Sequence, residues 1–140
     1  ENYKILISQK AKINFCNFDH LIFVEDPLSQ KQYFQLMQTV NLILLPYLPE
    51  YYLGRTSGIF VEAICAGIVP VVSRDTWMAY ELKKHGLSVL AINWNNSGLF
   101  ESLKQITRDP SLKVALGKMV RAYRLFHSVE KFAQFLHVSL

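Results

Sequence analysis

Five short apolar runs, spaced along 140 residues, constrain what this chain can fold into more than any other feature. They are 3–8 (YKILIS), 21–24 (LIFV), 41–45 (NLILL), 69–73 (VPVVS) and 88–92 (SVLAI). Runs of Ile, Val and Leu without polar alternation read as strands covered on both faces. Between most of them the apolar residues change to helical spacing: Tyr33, Leu36, Met37 and Val40; then Ile59, Phe60, Ala63 and Ile64; then Met78 and Leu82 before a stop at Gly86. Strand alternating with helix predicts parallel strands joined by right-handed crossovers. The segment 9–18 lacks a clear helical pattern, so the first crossover is expected to be short or irregular. From Ser97 the chain reads as helical to its end, with a restart at Asp109-Pro110 and a break at His127-Ser128. The expectation is one domain over 1–140, an α/β fold with an open, parallel, Rossmann-like sheet of about five strands and a helical C-terminus.

Composition narrows the function classes. With 51% hydrophobic residues the chain can build a core, and no window approaches the roughly 18 apolar residues of a membrane span. Two cysteines, Cys16 and Cys65, make neither a disulfide framework nor a zinc site, and His20, His85, His127 and His137 have no metal spacing. No metal and no cofactor are expected, and a reduced, cytoplasmic setting is the default. The net charge of +4 suits an anionic ligand without requiring one. Glu1 opens almost directly onto a strand-like run with no tripartite leader, so the chain is expected to be part of a longer protein.

In open α/β sheets, ligands bind beyond the carboxyl ends of the strands. The loop 46–57 is far longer than a usual βα loop, and the cleft is expected there. It ends in Arg55-Thr56-Ser57-Gly58, a cation, two hydroxyls and a glycine at a helix N-terminus, where backbone amides favour a phosphate. A plain Ser or Thr N-cap also accounts for the hydroxyls. Glu62 is the only charge in the helix that follows and lies on the side of Gly58 and Arg55, so it either points toward a ligand or pairs with Arg55 or Arg74. Trp77 and Trp94 follow two strands, packing being the favoured use of Trp94, and Glu25-Asp26 follow a third. The basic and aromatic stretch KMVRAYRLFHSVEKF is compatible with lipid or nucleic acid, although helix packing with snorkelling cations explains it more simply. Neither partner is demanded: nucleic acid is not expected, and membrane contact is not indicated.

LILLPY, a loop, and SGIFVEAICAGIVPVVS together resemble the donor-binding half of GT-B glycosyltransferases, in the glycogen-synthase-like retaining group. The family text there is a strand ending in Leu-Pro, a Glu-Gly-Phe-Gly turn, a Glu-Ala-x-x-x-Gly helix and a Pro-Val-Val strand. YKILIS, DHLIFVEDPLSQKQYFQLM and HSVEKFAQFL are similar to the flanking elements, so the resemblance runs through nearly the whole chain. It implies a glycosyltransferase, of hexosyl type, using a nucleotide-diphosphate sugar with retention. Glu62 would hold the donor ribose, and Arg55, Thr56, Ser57 and Gly58 would meet the diphosphate; no catalytic residue is assigned. The N-terminal acceptor domain would belong to the same full-length protein and lie outside this chain, leaving it inactive alone. Gly54 stands where the family has its first glutamate, although the R-T-S-G wording and TWMAYEL are similar to a bacterial variant. The competing reading is a non-catalytic α/β module, either a degenerate glycosyltransferase or a receiver. The receiver lacks its chemistry: the central strand ends Leu45-Pro46-Tyr47 without the required Asp, and the last ends Ile92-Asn93 without the Lys. No G-x-G-x-x-G follows any strand, which removes a dinucleotide-binding domain.

Overall fold

The computed structural model describes residues 4–9, 21–95, 97–128, 130, 131 and 134. In chain order the elements are β1 (Ile5–Ser8), β2 (Leu21–Val24), α1 (Gln30–Thr39), β3 (Leu42–Leu45), α2 (Pro49–Tyr52), α3 (Gly58–Ala66), β4 (Val69–Ser73), α4 (Trp77–Lys84), β5 (Ala91–Ile92), α5 (Leu99–Arg108) and α6 (Pro110–Phe126). All five apolar runs therefore contribute a strand, and every pairing is parallel. The segment expected to form an irregular first crossover lies, apart from Gln9, outside the described residues.

Among the described residues the strands make two small parallel sheets rather than the single five-stranded one expected. β1 pairs with β2, and separately β3, β4 and β5 form a three-stranded sheet in that order. The chain divides correspondingly into two compact units, Glu1–Gln38 and Thr39–Leu140. The strands are short: β1 and β2 have four residues each and β5 has two. The run 88–92 is only half strand, because Ser88–Leu90 closes a single 3-10 turn in which the Leu90 amide donates to the Leu87 carbonyl at 3.0 Å. Leu87 and Leu90 are both buried there, so the apolar signal was about burial rather than extension.

In the second unit β4 is the centre. Pro70, Val71, Val72 and Ser73 are all buried, as two-sided cover requires. Proline inside a central strand usually breaks the ladder. Here the Val69 amide donates toward β3, to the Asn41 carbonyl at 3.1 Å, so alternation turns the missing donor of Pro70 to the other side. There the β5 ladder begins only at Val72, and no hydrogen bond is lost. Phe60, Ala63 and Ile64 of α3, Met78 and Leu82 of α4, and Leu112, Leu116, Met119 and Tyr123 of α6 complete the core. α3 packs against both α6 and β4.

Helix ends follow local chemistry. α3 stops at Gly67, whose φ of 79° only glycine adopts cheaply while its amide reaches back to the Ala63 and Ile64 carbonyls. α4 stops before Gly86, at φ 72°. The expected restart is present: the Asp109 carboxylate caps α6 by accepting the Ser111 amide at 2.8 Å, with Pro110 in the first turn. These bonds hold the Asp109 carboxyl below its ordinary value.

Candidate functional site

The loop from β3 to α3 contains a structured piece that periodicity did not reveal. Pro49 starts the single turn α2, and Tyr47 and Tyr52 stack across it with ring centroids 4.2 Å apart. The rest of the loop is open to solvent; Leu48, Tyr51 and Leu53 are more than half exposed.

Ser57 ends this loop in extended conformation, at φ −121° and ψ 118°, and is buried. Its Oγ accepts the Phe60 amide at 3.3 Å and its carbonyl accepts the Val61 amide at 3.2 Å. The hydroxyl is thus an N-cap, as the simpler reading held. The amides of Gly58 and Ile59 lie ahead of the first intrahelical bond, in the position from which helices hold anions. A Cβ at Gly58 would meet nothing within 4 Å, so open space lies beside this turn. Arg55, Thr56, Gly58 and Glu62 are all exposed. Glu62 is one turn beyond Gly58, on the side of α3 away from Phe60, Ala63 and Ile64. Glu62 is exposed, because only the Phe60 side of this helix meets the core.

Arg74 follows β4. Its Nε donates to the Ala91 carbonyl at 3.3 Å, beside β5. It lines a cavity of about 300 Å³ with Asn93, Ser102, Gln105 and Asp109 among its walls. A second cavity, of about 530 Å³, lies in the first unit beyond the ends of β1 and β2, where the Ser8 hydroxyl donates to Asp26 Oδ2 at 2.6 Å and Glu25, Leu28 and Tyr33 contribute. Neither cavity includes any residue of 46–58, nor Glu62. The loop folds back at α2 on its own Tyr47 and Tyr52, while Leu48, Tyr51 and Leu53 stay exposed.

The tryptophans are packed. Trp94 donates from Nε1 to Ser73 Oγ at 2.8 Å, and Trp77 meets Phe60 edge-on at 5.8 Å. Thr76 fixes the loop between them, donating to the Ser73 carbonyl at 2.8 Å while accepting the Ala79 amide at 3.2 Å. His85 and His127 both lie against the Tyr123 ring. Tyr123 itself donates to Glu81 Oε2 at 3.0 Å; burial first and this bond second push its phenol well above the ordinary value. Residues 81 and 123 are far apart in sequence, and no local pattern announces their pairing. Burial raises the Cys65 thiol, with Arg124 opposing. Among the described residues no group of three His, Cys, Asp or Glu is placed to hold a metal; Cys16, His20 and His137 lie outside them.

Comparison of the chain with protein-family models, with curated proteins and with solved structures found no match.

Proposed function

We propose that this chain is the nucleotide-sugar-binding part of a GT-B-like, retaining glycosyltransferase, with transfer completed against an acceptor domain of the same full-length protein. The observation that carries the reading is the joint exposure of Gly58 and Glu62 on one side of α3, at the end of a long loop that follows a strand. The donor diphosphate sits on the Gly58 and Ile59 amides, where the helix dipole and free N–H groups offset its charge. Arg55 and Thr56 flank it. Glu62, one turn further, accepts hydrogen bonds from two vicinal ribose hydroxyls, the pairing to which a carboxylate is suited. No helix among the described residues is long and apolar enough to cross a membrane, and the proposed setting is the cytoplasm, where nucleotide sugars are available.

A scaffold that retains the fold without the chemistry is the second reading, favoured by the open surface at 46–58 and by Gly54. A Cβ at Gly54 would meet nothing within 4 Å, so packing does not force glycine where the family has glutamate. A thermal-shift screen with UDP, GDP, ADP and their sugar conjugates separates the two, since a ligand that binds only the native state raises its melting temperature. The donor reading expects a rise with one nucleotide and its sugar. No rise with any of them overturns it in favour of the scaffold.

A further inference from the structure

α6 is unusual in its charge. Between Pro110 and Phe126 it carries Lys113, Lys118, Arg121 and Arg124 and no acidic residue. Its core side is Leu112, Leu116, Met119 and Tyr123. Helical spacing puts Lys118 and Arg121 on the opposite side and Lys113 and Arg124 on its flank, and all four are exposed. Beside Lys118 and Arg121 stand two largely exposed aliphatic side chains, Val114 at 64% and Leu125 at 70%. Val114, Lys118, Arg121 and Leu125 follow one another at helical steps of four, three and four, which makes a single stripe. The expected helix packing is present on the side of Leu112, Leu116, Met119 and Tyr123, and Val114 and Leu125 lie outside it.

From this face we infer that α6 docks the protein on an anionic lipid surface. The cations meet the headgroup phosphates while Val114 and Leu125 enter the boundary with the acyl chains, the division of labour of interfacial helices. Nucleic acid fits less well. From Lys113 to Leu125 the face carries no Asn, Gln, Ser or Thr to read a backbone or base edge, and aliphatic side chains gain nothing against phosphate. Arg124 is partly committed, since its Nε donates to the Cys65 carbonyl at 2.8 Å and steadies the end of α3. Lys118 and Arg121 therefore carry the largest share. The inference is independent of what α3 binds.

Sedimentation of the full chain with vesicles tests it, comparing phosphatidylcholine alone, an equimolar phosphatidylcholine and phosphatidylglycerol mixture, and a duplex oligonucleotide as competitor. Binding to the anionic vesicles at low salt and release at high salt are expected. Each interfacial cation is worth about fivefold in partitioning, so the double variant Lys118→Gln/Arg121→Gln should bind about thirtyfold more weakly. Leu125→Ser should lose about fivefold, and Lys83→Gln, an exposed cation on α4, should change nothing. All of these side chains are exposed, and unchanged thermal melts verify that the variants fold. The inference is overturned by absence of binding to anionic vesicles, by equal binding to neutral ones, or by an equal loss in Lys83→Gln. It is also overturned if the duplex displaces the vesicles while Leu125→Ser binds as tightly as the parent.

Discussion

The two units of this protein contain similar strands and very different interiors. In Glu1–Gln38, α1 has no buried residue, and Ile5, Leu6, Ile22, Phe23 and Phe34 are all exposed. In Thr39–Leu140, β4 is buried from Pro70 to Ser73 and helices α3, α4 and α6 supply a continuous core. The strand sequences do not explain the difference, since KILIS is as apolar as VPVVS. Cover explains it. A parallel strand is stable in proportion to what lies on its two faces, and β4 has partner strands on both edges as well as packed helices, whereas among the described residues of the first unit β1 and β2 pair with each other. The second unit should therefore carry nearly all of the measurable stability.

The largest effect should come from Phe60→Ala. This ring is fully buried and touches Trp77 and Tyr123 edge-on, so its loss should cost about 3–5 kcal/mol in urea unfolding. A loss near that of a surface change would mean that the core of the second unit is misdescribed. Next is the bond between helices α4 and α6. Tyr123→Phe removes a donor to a carboxylate, worth about 1.5–3 kcal/mol. It should also change the response to alkali. The Tyr123 phenol and the Cys65 thiol both hold their protons more tightly in the fold than in the unfolded chain, whose ordinary values are 10.0 and 9.0. A group whose folded pKa is raised contributes stability that is complete below its unfolded value and declines as pH rises through and beyond it. Stability should accordingly be level up to about pH 9 and fall above it, with a shallower fall in Tyr123→Phe.

Ser57→Ala should cost about 1 kcal/mol through loss of the Phe60 cap, a purely local effect on α3. The smallest change is expected in the first unit, where Phe34→Ser should stay within about 0.5 kcal/mol because the ring is already 53% exposed. A cost there comparable to that of Phe60→Ala would abolish the distinction between the units.

Much of the layout was legible in the sequence because it depends on local chemistry. The strand runs, the Asp109-Pro110 restart, the stop at Gly86 and the Ser57 cap all rest on residues within one turn of each other. What was not legible depends on cover by distant residues. The run 88–92 looked like a strand because Leu90 and Ile92 are buried, yet half of it is a 3-10 turn. One five-stranded sheet was expected because apolar runs say that a strand wants cover, not which strands share a ladder. The spacing put Glu62 on the side of Gly58, and it is exposed there with Ile59 and Ala66 beside it. Arg74 was one candidate partner for Glu62, and its engagement with Ala91 depends on a strand 17 residues later.

Glu62 gives the most direct test of the proposed function, because its exposure separates binding from folding. Titration calorimetry with the nucleotide sugar found by the thermal screen should be run on the parent chain and on Glu62→Gln, with the melting temperature of each recorded. A carboxylate bonded to ligand hydroxyls contributes about 1.5–3 kcal/mol per bond, so donor affinity should fall at least about tenfold. The melting temperature without ligand should change only slightly, as for an exposed side chain. A lower melting temperature with donor affinity intact would contradict the account, making Glu62 a structural residue and removing α3 from the binding site.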